Sequence, residues 1–269
     1  MTRTRSMWLA GAMALACAFA PGAWGNPGED GTVTVTGPVI LNTFTTLSAD
    51  EAAGQTTLSV TDVAALALPP CPAGATCTGA TAGNGFGTSL SQGDLLLIYQ
   101  PQETDEGAGQ AQISTNDDNT FGAVTTLGSA GLYEFVYVAS STGGPNPTIT
   151  IVSGGGGASC NGLQNSYDGT GTGRAMVIRV PQLHNLNVNA GGVIQALAWN
   201  GTRGAVVALD VRKRPDNTGG VLTFNGNGRI DVSSLGFRGG AVDNTTNDIH
   251  NVGFVTNSCA LGGRKGESI

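Results

Sequence analysis

The sequence predicts an all-β protein whose C-terminal part is a parallel β-helix or similar β-solenoid, preceded by a β-rich N-terminal segment. Three observations carry this prediction. First, β-prone runs at 193–199, 204–211, 221–224 and 229–232 follow one another with no stretch suited to a helix. Second, the pairs Gly191-Gly192, Gly219-Gly220 and Gly239-Gly240 punctuate those runs as turns do. Third, Asn-x-Asn recurs at Asn187/Asn189 and Asn225/Asn227, where side-chain amides can bond turn backbone or stack as a ladder between successive coils. An antiparallel β-sandwich is the alternative, because the glycine pairs stand 28 and then 20 residues apart, too irregular to establish a repeat.

Composition agrees with strand and turn. Of 269 residues 43 are glycine, while charged residues make up 12% and aromatics 6%, so packed helix has little to build on. Hydrophobic content of 40% in short regular runs favours folding over disorder.

The first 25 residues resemble a secretory signal peptide. Arg3 and Arg5 supply the charged start, 7–20 the apolar core and Ala23-Trp24-Gly25 a small-x-small cleavage site. That core is too short to span a bilayer, and no other stretch is long enough. The expected location is therefore secreted or cell surface. Cys17 is placed as in a lipoprotein signal, but Ala14 stands where leucine is preferred, so ordinary cleavage is expected.

Cleavage would leave Cys71, Cys77, Cys160 and Cys259, an even number in an oxidising setting. Cys71 and Cys77 bracket the short loop PAGAT. Four cysteines allow three pairings, of which Cys71 with Cys77 and Cys160 with Cys259 is preferred. Zinc is disfavoured, since there is no Cys-x2-Cys pair and only His184 and His250 could assist.

Charge divides the mature chain. Residues 26–173 hold thirteen acidic side chains and no Lys or Arg, whereas 174–269 hold ten basic against six acidic. The step predicts two segments, an acidic Thr/Gly-rich β segment at 26–173 and a solenoid-like segment at 174–269. The acidic first segment argues against nucleic acid as a partner.

Taken in order, Thr32-Val33-Thr34-Val35-Thr36 alternates strictly, as a half-buried strand does, and Gly37-Pro38 ends it. A second strand follows at 39–47, a turn at 48–54, and alternation returns at 56–61. Pro69-Pro70 stops anything begun at 62–68. Leu95-Leu96-Leu97-Ile98-Tyr99 is an unbroken apolar strand that should be covered on both faces. The acidic stretch 101–119 should be a solvated loop, while 132–138 and 147–152 are strong strands. Glycine-rich loops at 153–173 lead into the solenoid-like part. No capping element is evident before Ile269, so the sequence is expected to be the N-terminal fragment of a longer protein.

The succession VILNTFTTLSADEAAGQTTLSV, GDLLLIYQPQ, GLYEFVYV, VIRVPQLHNLNV, LAWNGTRGAVVALDV, IDVSSLGFRGG and GGRKGES resembles the N-terminal region of large secreted bacterial cell-surface proteins, adhesin-like and repeat-containing. It covers nearly all of the mature chain. Gln100-Pro101-Gln102-Glu103 departs from the Gln-Met-Gln-Gly common after that strand in the family. The resemblance implies an exported surface module, continuing into immunoglobulin-like repeats or a sorting signal. It supplies no catalytic residue.

Candidate sites are few. Asn116-Asp117-Asp118-Asn119 offers oxygen ligands, chiefly Asp117 and Asp118, to calcium, but lacks the spacing of an EF-hand and reads first as an Asx-rich turn. The acidic 243–248 stretch reads the same way. No other cofactor is predicted. The glycine-rich 169–174 and 154–157 precede no helix and read as flexible loops rather than phosphate cradles. Gly-x-Ser-x-Gly is absent, and His184 reads as a structural or surface histidine. Asp210, Arg212 and Asp231 are the candidates for a carboxylate-lined groove, with solvated outward positions as the plainer reading. Arg212-Lys213-Arg214 is a basic turn that could meet anionic glycans, and Trp199 is expected to close the core beside its Asn200-Gly201 turn. The function expected is a non-catalytic surface structural or adhesion module, with surface glycans or cell-surface proteins as partners. The alternative is a secreted β-helix polysaccharide lyase or glycoside hydrolase.

Overall fold

The computed structural model describes residues 27–102, 112–113, 124–126, 128–153, 162–171 and 173–237. The expected signal peptide with Cys17, together with Asp117, Asp118, Cys160, His250, Cys259 and the 154–157 and 243–248 stretches, lies outside the described residues. In chain order the strands are β1 (Thr32–Val35), β2 (Pro38–Val39), β3 (Thr43–Thr46), β4 (Thr57–Ser59), β5 (Ala75–Thr78), β6 (Leu95–Tyr99), β7 (Gln112–Ile113), β8 (Val124–Thr126) and β9 (Tyr133–Thr142). They continue with β10 (Thr148–Ser153), β11 (Met176–Val180), β12 (Gln182–Leu183), β13 (Asn185–Val188), β14 (Val193–Ile194), β15 (Asp210–Val211), β16 (Val221–Phe224) and β17 (Arg229–Ile230). One 3-10 turn at Ala64–Leu66 interrupts them. The described protein is all-β.

Two strand systems share the molecule. The first is a six-stranded sheet of order β3-β11-β6-β9-β10-β4, antiparallel throughout. Its centre is the apolar strand β6, and both faces of that strand are covered, as its unbroken hydrophobicity requires. Leu96 and Ile98 pack with Val136, Val138, Ile149 and Ile151 on one face, closed by Leu66 and Tyr167. Leu95 and Leu97 pack with Met176, Ile178 and Trp199 on the other.

The second system is parallel. β1, β13 and β16 stack side by side, Val33 beside Leu186 beside Leu222 and Val35 beside Val188 beside Phe224. β2, β14 and β17 repeat the arrangement, with Val39, Ile194 and Ile230 in one column, and β12 pairs with β15. Period-two alternation sends Val33, Val35, Leu186, Val188 and Ile194 inward to a common core with Leu41 and Leu183. The described residues thus make three stacked rungs, and the six-stranded sheet is inserted between the first and the second.

Strands from both sides of the charge step at 173/174 share sheets. β1 pairs with β13, and β11 lies between β3 and β6. The step in charge is therefore not a break in topology.

Each rung turns through a glycine at the same place. Gly37, Gly192 and Gly228 immediately precede β2, β14 and β17. A Cβ on Gly192 would lie 2.5 Å from the Val35 carbonyl oxygen of the rung before it, and one on Gly228 would strike the Val188 oxygen. The rungs approach too closely there for any side chain. Gly192→Ala is expected to lower stability by about 1–3 kcal/mol, read as a lower urea midpoint. Alanine at Gly54, around which nothing lies within 4 Å, has no such clash and differs by its φ of +89° alone.

At one end of the stack β5 pairs antiparallel with β1 and covers its free edge. The Cys71–Cys77 disulfide, with an S–S distance of 2.02 Å, anchors that covering strand. At the other end β16 has no strand beyond it among the described residues.

Candidate functional site

The polar features group into four places. The deepest is a charge cluster where the inserted sheet meets the stack. Arg179 sits in β11, Met-Val-Ile-Arg-Val, whose five residues are all buried. Strand alternation puts its side chain on the same face as Val177, and there it meets Asp94 at 2.9 Å and Asp30 at 4.0 Å. Its guanidinium also donates to the Thr88 carbonyl at 3.2 Å. Asp30 accepts from the amides of Gln182 at 2.7 Å and Gly85 at 2.9 Å, and Asp94 from the amide of Ser91 at 2.7 Å.

Burial dominates the titration of both acids. It pushes the Asp94 carboxyl up to about 6, against the opposing pull of Arg179 and Ser91 and with a further push from Asp30. Asp30 is raised for the same first reason, its amide donors and Arg179 opposing and the charge of Asp210 assisting. A carboxyl near pH 6 has the titration of a general acid, but Asp94 is only 2% exposed. A polymer substrate cannot reach it, so the cluster is structural.

The second place holds the groove candidates. Arg212 donates from Nε to Asp210 at 2.8 Å and from Nη2 to the Tyr137 hydroxyl at 3.0 Å, and so fastens β15 to β9 of the inserted sheet. Asp231 lies just beyond β17, in a different sheet of the stack, where it pairs with Arg229 at 3.3 Å and accepts from Ser233. Hydrogen bonds from Ser233, then Arg229, hold its carboxyl below the usual range, which suits an ionised surface group rather than a proton donor. Asp210 and Arg212 are brought together, whereas the partners of Asp231 among the described residues are Arg229 and Ser233. The rest of the basic turn is also engaged, with Arg214 donating to the carbonyls of Gly28 and Gly79 and Lys213 to Asn217.

The third place corrects an expectation. The glycine-rich segment at 169–174 reads as a flexible loop in the sequence, yet its described residues wrap a carboxylate of the protein itself. Asp168 accepts from the amides of Thr170 at 3.1 Å, Gly171 at 2.7 Å and Gly173 at 2.9 Å. Asp50 accepts from the amides of Gly169 and Thr170, both at 3.1 Å, and from the Thr170 hydroxyl. Glycine is needed at 171 and 173 because a Cβ there would fall 2.6 and 2.8 Å from Asp168 atoms. The anion-cradling chemistry is real, and its anion is internal.

The fourth place is the outer face of the stack. Asn185 donates to Thr32 at 3.3 Å and Asn187 to Thr34 at 3.5 Å, while Thr223 donates to Asn187 at 2.7 Å and Asn225 to Asn189 at 2.9 Å. Asn227 accepts from the Gly191 amide at 2.7 Å. The two Asn-x-Asn pairs therefore form the ladder the sequence suggests, running from rung to rung and leaving a regular row of amides and hydroxyls outward.

Two single residues complete the picture. Trp199 packs edge-on against Phe237, ring centroids 4.8 Å apart, and its amide donates to Leu235 at 3.0 Å. It closes the core beside its turn, as expected. His184 holds the stack through its backbone, the amide donating to Gly31 and the carbonyl accepting from Gly220. Sequence reasoning missed Asp30, Asp94, Tyr137 and Asp168. An arginine inside an apolar strand was the one visible signal, since a buried guanidinium demands acidic partners.

No protein-family model and no curated protein matches the sequence. Among solved structures the chain overlaps the Gp54 tailspike of Acinetobacter baumannii bacteriophage AP22, in complex with A. baumannii capsular saccharide. That overlap has a TM-score of 0.26 and 12% identity over 61% of this chain and 24% of the other. It also overlaps the tailspike protein gp49 from Pseudomonas phage LKA1, with a TM-score of 0.23 and 13% identity over 63% of this chain and 25% of that one. This chain spans about a quarter of the length of each. Likeness at this level assigns it neither an activity nor a ligand. Among the described residues no helix is long and apolar enough to cross a membrane.

Proposed function

We propose that this chain is a non-catalytic exported surface module, structural or adhesive, in which three parallel rungs begin a β-solenoid and the inserted sheet braces its side. The observation that carries the reading is the polar ladder along the outer face of β1, β13 and β16. It repeats donors and acceptors at the spacing of neighbouring strands, about 4.8 Å, on a rigid surface with no concavity required. Such a face meets an extended partner, a surface glycan or another surface protein, through many weak contacts rather than one pocket. The Cys71–Cys77 disulfide fits the oxidising compartment that export implies.

The charged groups are consistent with a passive role. Asp210 and Arg212 neutralise each other, Asp231 is held ionised, and Asp94 is enclosed. The test is a panel of immobilised glycans and surface-protein extracts. Retention without turnover is expected, and it should weaken several-fold in the double variant Thr34→Ala, Asn187→Ala, which removes a ladder step. Shortening of an acidic polysaccharide, abolished by Asp231→Ala, would sink the proposal in favour of a lyase or hydrolase.

A further inference from the structure

One face of the six-stranded sheet runs out past its cover. On β9 the alternate residues Tyr133, Phe135 and Tyr137 share a face with Tyr99, Leu97 and Leu95 of the neighbouring β6. Tyr137, Leu95 and Leu97 are buried with Trp199, and Leu197 and Val206 pack against that cluster. Phe135 and Tyr133 continue the same face yet are 38% and 62% exposed. Their rings meet edge to face, centroids 6.3 Å apart. Tyr133 also stands opposite Tyr99, which stacks on Phe237, and Phe237 packs against Trp199. An aromatic row therefore passes from the core to solvent.

The row is held firmly and has a polar end. On the reverse face of β9, Glu134 accepts from the amides of Gln164 at 3.0 Å and Asn165 at 3.2 Å, which fixes the strand from behind. At the inner end Arg212 bonds the Tyr137 hydroxyl, and strand rise sets Phe135 and Tyr133 about 7 and 13 Å further along. The Arg212 side chain is 46% exposed. Its Nε and Nη2 engage Asp210 and Tyr137, while Nη1 has no partner among the described residues.

We propose that Tyr133 and Phe135, with Arg212 and Asp210 at their inner end, bind the ring face of a neutral pyranose sugar. A pyranose carries an apolar face of C–H groups and a rim of hydroxyls. Fixed aromatic rings take the first, and a guanidinium donor beside a carboxylate acceptor takes the second. Charge selects a neutral sugar over an acidic one. Asp210, at 2.7 Å, already balances Arg212, and a chain of formal net charge −7 repels polyanions. The inference rests on the glycan reading of the proposed function, but its residues lie in a different sheet from the ladder, so the two can fail separately.

Isothermal titration of the whole chain tests it, with neutral hexasaccharides of glucose, mannose and N-acetylglucosamine and a galacturonate hexasaccharide as the acidic arm. Saturable binding of at least one neutral hexasaccharide is expected, with a Kd of about 1 mM or tighter, and weaker binding of the galacturonate. Tyr133→Ala with Phe135→Ala should lower affinity at least about tenfold, while Tyr133→Phe stays within about twofold. Tyr133→Ala alone, at the more exposed ring, should lose at least about threefold and keep the melting temperature, which separates loss of binding from loss of fold. Affinity unchanged in the double variant but lowered by Thr34→Ala, Asn187→Ala would place the sugar on the ladder and overturn this site alone. Tighter binding of galacturonate would overturn it too, as would a dimer in sedimentation that Tyr133→Ala dissolves, since a second copy would then cover the rings. Binding of none of the four, with no glycan retained on the immobilised panel, would overturn this site and the glycan reading together.

Discussion

Arg179→Met is expected to lower stability by about 3–5 kcal/mol at pH 7, the cost of leaving buried charge without its partner. The variant keeps the side-chain volume of the strand but strands Asp94 and Asp30, which the guanidinium meets at 2.9 and 4.0 Å. The deficit should shrink on acidification, because protonating Asp94 and Asp30 removes the charge that Arg179 balances. Denaturant midpoints of both proteins at pH 7 and pH 4.5 would show it. An equal loss at both values would mean that Arg179 acts by packing alone.

The unaltered protein should have its own pH dependence in the same range. Asp94 is raised to about 6 from an ordinary 3.8, and Asp30 and Glu51 are raised too, in each case first by burial. A carboxyl with a raised folded pKa binds its proton more tightly in the folded state than in the unfolded one. Its contribution is therefore full below about pH 4 and is lost as pH rises through about 6. For Asp94 alone the loss is on the order of 2–3 kcal/mol. The lowered groups, Asp50, Asp216 and Asp231, contribute stability above their ordinary range that is lost only as pH falls below it, outside this window. The melting temperature should thus fall between pH 4.5 and pH 7, and a rise across that window would contradict the burial argument.

Asp168→Ala is the second large effect, about 2–4 kcal/mol, since three loop amides lose a charged acceptor together. Asp168→Asn should recover part of this, because one amide oxygen can still accept. Thermal melts of the two variants separate the acceptor's role from loss of side-chain volume. Equal melting temperatures for Ala and Asn would show that the cradle contributes little.

Local pattern was enough to read much of the fold. The alternation of Thr32-Val33-Thr34-Val35 gives β1 and its inward face, and the run at 95–99 gives a strand buried on both sides, because each depends only on side-chain period. The ladder followed from Asn-x-Asn. What misled was the choice of glycines. The doublets at 191 and 219 mark turns of different kinds, and the one at 239 lies outside the described residues, while the repeating positions are Gly37, Gly192 and Gly228, the first set apart from the others by the whole inserted sheet. Spacing along the chain cannot show a repeat whose first two rungs are separated by another sheet. The buried cluster was hidden for a similar reason, its three members coming from the loop before β1, the loop before β6 and the strand β11. The charge step at 174 records composition, and topology ignores it.

The insertion also constrains the order of events as the chain folds. β1 is the first described strand, yet its parallel partner β13 lies about 150 residues further along, so its place in the stack does not exist until β13 has emerged. Closing a loop of that length is slow, and Thr32–Val35 must remain without its rung partner while the antiparallel sheet assembles. A chain built this way reaches its final form late. Such lateness makes the β1–β13 pairing the expected slow step in refolding.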